Sequence, residues 1–162
     1  MSKVLLLLLV TACSSKTATP AAGSATPTTP AAKPDCKNIT ADANALFTAP
    51  PKADLKADDD EVRCNYASAT QGTILMTTFS NAADRALIGE NEAYPNKKKL
   101  TIGDASWTWG SAQSVSVTVR SHGHDCMAIY NRTDDHKDEA PALGQDDAAQ
   151  RLATLCLHGD GG

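Results

Sequence analysis

The feature that most limits what this chain can fold into is a break in composition near residue 35. Residues 14–34 consist of Ala, Thr, Pro, Ser, Gly and Lys, with no aliphatic side chain larger than alanine. Such a segment buries too little apolar surface to offset the entropy lost on ordering. We therefore expect residues 13–35 to form a disordered tether. The folded part is then residues 36–162, the size of one ordinary domain.

The segment before the tether has the order of an export signal. Lys3 precedes an apolar run over residues 4–10, which is followed by the small residues Thr11 and Ala12 and then by Cys13. This order is typical of a secretory signal peptide. The run is too short for a transmembrane helix, which needs roughly 20 apolar residues. We predict that residues 1–12 are a signal peptide.

The sequence Val10-Thr11-Ala12-Cys13 resembles the lipobox of bacterial lipoproteins. The resemblance implies that Cys13 carries a diacylglyceryl group on its sulfur, that the chain is cut before it, and that its new amine is acylated, for example with palmitate. Two or three acyl chains hold a protein on a membrane where one does not. The expected location is the cell envelope, on the extracytoplasmic face of the cell membrane. In a diderm host, Ser14 would permit sorting to the outer membrane.

The charge of the chain excludes one class of partner. The net charge is −4, and the folded part is more acidic still because the leader and tether contain three lysines and one aspartate. An acidic domain lacks the basic surface that binds nucleic acid. The one basic cluster, residues 97–99, is expected to be a solvated loop.

Four cysteines follow the tether, at positions 36, 64, 126 and 156. An even number of cysteines in an exported domain predicts two disulfides. Four cysteines allow three pairings, and the sequence alone does not choose among them. We favour Cys36–Cys64 with Cys126–Cys156, because each pair would join a terminal helical segment to a neighbouring strand.

Hydrophobic periodicity predicts an α+β fold. Val115, Val117 and Val119 alternate with polar residues, which indicates a strand with one buried and one solvated face. Thr40 is expected to cap a first helix, Asn81 a second, and a third has an apolar stripe at helical spacing. The predicted helices cover residues 40–47, 81–92 and 145–158. The predicted strands cover residues 62–69, 73–79, 100–102, 105–109, 114–119 and 125–131, and residues 52–61 are predicted to be a polar loop. Short turns between the strands favour a single domain built as an antiparallel meander packed against helices.

Several short motifs resemble a family of small actinobacterial lipoproteins with no established activity. The motifs are Asp35-Cys36 before a short helix, Cys64-Asn65-Tyr66, residues 102–105 before an aromatic strand, and a C-terminal helix. The resemblance implies an α+β domain whose first two cysteines pair. Similar disulfide-containing domains occur on actinobacterial serine/threonine kinases as sensors. The resemblance thus favours binding or sensing, and it implies no catalytic residue and no cofactor.

The candidate metal site is His122-Gly123-His124, because neutral imidazole binds zinc and copper. Gly123 favours a simple turn instead, with both rings in water. His158 with Cys126 and Cys156 would be a second ligand set, although an oxidising compartment favours a disulfide between the two cysteines.

Catalytic signatures are weak. Ser106 and Ser121 lie near acid or histidine residues, but no nucleophile elbow or Ser-x-x-Lys pattern surrounds them. The adjacent acids at 134–135 and 146–147 are not expected to converge across a cleft as a general acid/base pair must. We therefore expect a protein without enzymatic activity.

Trp107 and Trp109 have the same parity and so lie on one face of a strand. They would form either a platform for a sugar or apolar ligand, or part of the core beneath a helix. The leading functional hypothesis is a membrane-anchored binding, interaction or sensing module, whose ligand is another envelope protein, a glycan or a lipid. The alternatives are a zinc- or copper-binding surface lipoprotein and a phage-type lipoprotein that excludes superinfection.

Overall fold

The structure, a computed structural model, describes residues 33–82, 86–111, 113–132 and 143–161. In these ranges the chain forms two helices and one seven-stranded antiparallel sheet. The helices are α1 (Cys36–Asn44) and α2 (Gln145–Gly159). The strands are β1 (Lys52–Ala57), β2 (Glu61–Ser68), β3 (Thr73–Asn81), β4 (Lys98–Lys99), β5 (Ala105–Gly110), β6 (Ser114–Ser121) and β7 (His124–Arg132). The predicted α+β class is confirmed.

The sheet consists of two groups of consecutive antiparallel strands, β1–β3 and β4–β7, which are joined in the centre by the pairing of β3 with β7. Its order is β1-β2-β3-β7-β6-β5-β4. The predicted last strand, β7, is therefore a central strand that pairs with β3 on one side and β6 on the other. The β6–β7 turn places His122 and Gly123 at φ 47° and 83°. Positive φ at both central residues is the geometry of a type I′ hairpin turn, and the turn predicted at this point is confirmed.

Both helices cover the same face of the sheet. Val115, Val117 and Val119 of β6 are at most 1% exposed and belong to the same buried cluster as Leu152 and Leu155 of α2. The apolar stripe of α2 was predicted from its helical spacing, and the helix covers the predicted range with one further residue. The core thus lies between α1, α2 and one face of the sheet.

Two disulfides tie the helices to the sheet. Cys36 of α1 pairs with Cys64 of β2, with 5.6 Å between their Cα atoms, and Cys126 of β7 pairs with Cys156 of α2, with 5.7 Å. Both distances lie within the range that a disulfide spans. The favoured pairing is confirmed.

The first helix begins earlier than predicted. Its N-cap is Asp35, whose side chain accepts a hydrogen bond of 3.0 Å from the Lys37 N–H. Thr40 lies inside the helix and donates to the Cys36 carbonyl oxygen instead of capping. An aspartate satisfies free N–H groups at a helix start as well as a threonine does, so composition alone did not distinguish the two sites.

Two strands were missed because they have no buried face. All six residues of β1 are exposed, and so are both residues of β4. Residues 52–61, which contain β1, were predicted to be a polar loop. Residues 97–99, which contain β4, were predicted to be a solvated loop. The strand predicted at 100–102 is absent; the nearby strand is β4, two residues earlier. Edge strands without a buried face show no alternation of apolar and polar residues.

The helix predicted for residues 81–92 is wrong in the residues described there. Asn81 ends β3, and residues 86–92 contain turns and bends without a helix; residues 83–85 lie outside the described ranges. Gly89 has φ +86°, a left-handed conformation that interrupts a helix. Leu87 is buried, whereas Ile88 is 44% exposed. The segment is held to the sheet through the Ile88 carbonyl, which accepts a hydrogen bond of 2.7 Å from Thr118 Oγ1.

The core tyrosines predict a loss of stability at alkaline pH. Burial raises the pKa of Tyr66 and Tyr130 above the ordinary value of 10.0. A raised folded-state pKa means that the fold favours the neutral phenol. Stability is therefore unaffected below pH 10 and falls as pH rises through the folded-state pKa. Tyrosinate absorbance and far-UV circular dichroism, followed together against pH, should change in concert. Tyr66→Phe should make the decline shallower. Complete ionisation near pH 10 with the fold intact would contradict this expectation.

Candidate functional site

The face of the sheet opposite the helices is only partly covered. The predicted pattern for β6, one face buried and one solvated, is wrong for this reason: Ser116 and Thr118, on the second face, are 8% and 1% exposed. The segment around Leu87 and Ile88 lies over them. Leu87 and Trp109 are buried without belonging to the main core cluster. The strands β2, β3 and β7 are left with a more open surface.

A groove runs along this open surface. The strand register aligns Asn65, Met76 and Ile129 in one row and Arg63, Thr78 and Met127 in the next. Met76, Met127 and Ile129 supply the apolar floor, and Leu87 with Ile88 supplies one wall; the groove has a volume of about 470 Å³. Small-molecule sites usually have volumes of roughly 300–1,000 Å³. We call this feature the open-face groove.

Exposed apolar side chains are concentrated at this surface. Four large hydrophobic residues are exposed in the described part of the chain: Leu55 at 46%, Ile88 at 44%, and Ile74 and Met76 at 39% each. Ile88 and Met76 line the open-face groove, and Ile74 lies two residues along β3 from Met76, on the same face. An exposed apolar cluster rimmed by polar residues marks an interaction site more often than scattered single residues do.

The charged end of the groove is balanced by two ion pairs. Arg120 binds Asp125 through both carboxylate oxygens, with Nε–Oδ1 and Nη2–Oδ2 distances of 2.7 and 2.9 Å. The hydrogen bond to Asp125 raises the pKa of Arg120. Arg63 pairs with Glu61, which likewise raises the pKa of Arg63. Because each cation has its own carboxylate, the groove presents an apolar floor with a nearly neutral rim.

The two tryptophans lie on this same face, as their parity predicted, but in different environments. Trp109 is 8% exposed and stacks on Tyr94, with ring centroids 4.6 Å apart and planes at 11°. It packs beneath the segment that contains Gly89 and not beneath a helix; a Cβ on Gly89 would lie 2.7 Å from the indole. Trp107 is half-buried, and Lys97 Nζ lies 4.5 Å from its ring centroid. The two indoles therefore do not form one open platform.

Single-tryptophan variants should separate the two environments. Trp107→Phe leaves only Trp109, whose emission should be blue-shifted and resistant to acrylamide because its ring is buried. Trp109→Phe leaves only Trp107, whose emission should be quenched readily by iodide, since Lys97 and Lys99 attract anions to the ring. Equal iodide quenching in both variants would contradict the assignment.

The candidate metal site does not gather further ligands. His122 Nδ1 lies 3.2 Å from Asp160 Oδ2 and 3.0 Å from Ser121 Oγ. His124 begins β7 on the far side of the turn. Among the residues that the structure describes, no group of three or more His, Cys, Asp or Glu side chains is arranged to hold a metal ion. Cys126 and Cys156 are joined to each other, so the second ligand set, with His158, lacks its thiolates. His136 lies outside the described residues.

Ser121, His122 and Asp160 meet, but not as a catalytic triad. In a triad the serine and the acid bind different ring nitrogens, so that the imidazole can pass a proton between them. Here both oxygens face the same nitrogen, Nδ1. Ser121 is also only 6% exposed, which leaves little room for a substrate carbonyl. This contact fixes the β6–β7 turn against the end of α2.

The remaining chemical candidates are separate from one another. Ser106 is fully buried, and its Oγ accepts a hydrogen bond from the Ile102 N–H. Asp146 pairs with Lys98 and Asp147 with Arg151, at 2.7 and 3.1 Å. The two carboxylates thus point to different cations. Residues 134–135 lie outside the described residues, and so do residues 1–32, which contain Cys13 and were predicted to form a signal peptide and most of a tether.

The groove residues were not identified from the sequence. Their signal was present in β3, where Ile74 and Met76 alternate with Leu75 and Phe79. A strand that is apolar on both sides is either covered on both faces or exposes an apolar surface. Choosing between these requires knowing which segment packs over the second face of the sheet, and that segment is not part of the β3 sequence.

Comparison of the chain with protein-family models, curated proteins and solved structures gives no match. Within the described ranges, neither helix is long and apolar enough to cross a membrane.

Proposed function

We propose that this protein is a lipid-anchored envelope protein with a non-enzymatic binding domain, and that the domain binds an apolar ligand in the open-face groove. The anchor is Cys13, in the lipobox-like order Thr11-Ala12-Cys13. The two disulfides support an extracytoplasmic location, because such bonds persist in oxidising compartments. Residues 13–35 would separate the domain from the lipid surface.

The observation that carries the binding assignment is the exposed apolar floor of the groove. Met76 lies in β3 and has 39% of its surface exposed. On the helix-covered face of the same sheet, by contrast, apolar side chains are almost completely buried. Methionine adapts its shape to irregular ligands and is common at adaptable binding surfaces. The floor therefore suits a flexible apolar body, such as an acyl chain or the apolar side chains of an envelope protein.

The groove favours an apolar ligand over a glycan. Sugar sites commonly stack a ring on an open aromatic face, whereas Trp109 is covered by Tyr94 and Trp107 has Lys97 over its ring. The aromatic groups on this face are thus already occupied. Asn65 and Thr78 provide a small number of hydrogen-bonding groups beside the floor.

The anchor is tested by metabolic labelling. The full chain, expressed in a bacterial host, should incorporate radiolabelled palmitate and fractionate with membranes. The Cys13→Ser variant should lose both properties. A variant that still fractionates with membranes, together with an unlabelled wild-type protein, would refute the anchor while leaving the groove untouched.

The groove is tested with a matched pair of surface variants. Met76→Ser removes an exposed apolar side chain from the groove floor, and Leu55→Ser removes one of similar exposure from outside it. A fluorescent fatty acid is the first probe and an envelope protein extract the second. Fully burying an exposed methionine side chain contributes about 1.5–3 kcal/mol. Because only 39% of Met76 remains to be buried, a ligand should gain about 0.6–1.2 kcal/mol from it, and Met76→Ser should weaken binding roughly threefold to eightfold. Equal binding by both variants, or no binding of either probe by the wild type, would refute the assignment.

A further inference from the structure

The two edges of the sheet differ in how they are protected. Edge strands expose unpaired N–H and C=O groups that can pair with another chain, and proteins limit this with very short or lysine-bearing edges. The edge formed by β4 follows this rule, since it has two residues and both are lysine. The opposite edge, β1, is six residues long and fully exposed. It also carries Leu55, the most exposed large apolar side chain in the described part of the chain.

We propose that β1 is a self-association surface, through which two copies of this chain pair antiparallel into one continuous sheet. The partner is a second copy because the sequence of β1 is complementary to itself when reversed. The proposal is independent of the ligand assigned to the open-face groove.

The backbone of β1 presents the groups that such pairing needs. The Asp58 N–H donates to the Glu61 carbonyl oxygen at 3.0 Å, so the backbone N–H and C=O groups of Asp58 point toward β2. Backbone groups alternate in direction along an antiparallel strand. The N–H and C=O groups of Ala53, Leu55 and Ala57 therefore point away from β2. When the pairing is centred on Leu55, the Leu55 residues of the two copies would exchange two backbone hydrogen bonds. Ala53 of each copy would do the same with Ala57 of the other.

The charges select this register. With Leu55 opposite Leu55, Asp54 lies opposite Lys56 of the second copy, and Lys52 lies opposite Asp58 of the second copy. Every facing pair of charges is then of opposite sign. Opposite-charge pairs across strands stabilise by roughly 0.2–1 kcal/mol each, and like charges destabilise.

Neighbouring registers are unfavourable. A shift of two residues in one direction places Asp54 opposite Asp54. The shift in the other direction places Lys56 opposite Lys56. A shift of one residue would place facing side chains on opposite faces of the sheet. The lysines that usually discourage edge pairing thus favour the Leu55-centred arrangement over its nearest neighbours.

The two sides of the paired strands suit this arrangement. The register with β2 places Leu55 opposite Cys64, on the helix-covered face, and places Lys56 opposite Arg63, on the open face. Pairing therefore buries Leu55 against its counterpart and leaves the charges in water. An apolar groove of about 380 Å³ lies beside Leu55 and is lined also by Pro34, Cys36 and Val62. It extends the apolar surface available to the second copy.

The symmetry is also compatible with two copies on one surface. Because facing residues keep the same face, the two-fold axis is perpendicular to the sheet, and both sets of helices lie on the same side. Lys33 and Pro34 lie beside Leu55 in that groove. The two tethers would therefore join the paired sheet close to the axis and on one side of it.

Cross-linking of the full chain tests the contact. The two Leu55 Cα atoms would be about 5.5 Å apart, as in hydrogen-bonded antiparallel pairs, which a disulfide can span. Leu55→Cys should therefore form a disulfide-linked dimer under mild oxidation. Ile88→Cys is the control, because Ile88 has nearly the same exposure but lies on the open face. Cross-linking of Leu55→Cys no greater than that of Ile88→Cys would overturn the proposal.

A charge exchange tests the register. Lys56→Asp places like charges opposite each other twice in the dimer, so the dissociation constant measured by sedimentation of the full chain in detergent should rise roughly tenfold. The double variant Asp54→Lys/Lys56→Asp restores opposite signs and should return the constant to within about twofold of the wild-type value. The side chains of Asp54 and Lys56 are exposed, with Lys56 Nζ and Asp54 Oδ2 3.7 Å apart. Neither variant should therefore unfold. A monomeric wild type, or equal constants for the single and double variants, would overturn the proposal.

Discussion

Replacing Cys126 and Cys156 together with alanine is expected to lower the free energy of unfolding by about 3–4 kcal/mol. The disulfide closes a loop of 30 residues between β7 and the last turn of α2. Without it the unfolded chain gains the conformational freedom of that loop, and the fold loses the covalent link between its C-terminal helix and its central strand. Both cysteine residues are at least 97% buried in the core, so the small cavities left behind add to the loss.

Chemical denaturation of the purified protein measures this change, and the second disulfide provides the comparison. Cys36 and Cys64 close a loop of nearly the same length, 28 residues, so the chain-entropy account predicts a loss of similar size when that pair is replaced. A reducing agent should destabilise the wild type by more than it destabilises either double variant. A loss below about 1 kcal/mol for the Cys126/Cys156 variant would contradict the expected role of the bond.

The elements predicted correctly are those whose apolar residues recur at a regular spacing within one stretch of sequence. In β6, Val115, Val117 and Val119 alternate with polar residues, and in α2 the buried residues recur at helical spacing. The errors concern segments without such a pattern. No residue of β1 is buried. In the segment after β3, the spacing of a few apolar residues resembled that of a helix, but Gly89 takes a left-handed conformation that interrupts one.

The groove illustrates a second limit. Its floor combines Met76 of β3 with Met127 and Ile129 of β7, which are distant in sequence and adjacent only because these strands pair. The sequence predicted the strands but not the order that places β7 in the centre. The same applies to Trp109: its parity was correct, while the cover that buries it comes from a segment expected to be helical. Local patterns specify elements, and contacts between distant elements specify sites.

Gly159, the last residue of α2, is expected to tolerate no side chain. A Cβ at this position would lie 2.8 Å from Cε1 of Phe79 and 2.9 Å from Cγ2 of Ile39. Both neighbours are at most 1% exposed, so neither can move into solvent. Alanine is usually the better helix former by about 1 kcal/mol, but overpacking a filled core costs about 1–3 kcal/mol. We expect Gly159→Ala to destabilise by about 2 kcal/mol, at the upper end of the net cost, because α1, α2 and β3 meet at this point.

Two further variants distinguish this steric cause from a general effect of replacing glycine. Gly144, which precedes α2, has open space around it, so Gly144→Ala should cost about 1 kcal/mol or less, the loss expected at a helix cap. Phe79→Leu shortens the side chain that the new methyl group would meet. In the double variant Phe79→Leu/Gly159→Ala the two losses should be less than additive by about 1–2 kcal/mol. Strict additivity in thermal or denaturant unfolding would show that the ring does not limit the approach of the helix to the sheet.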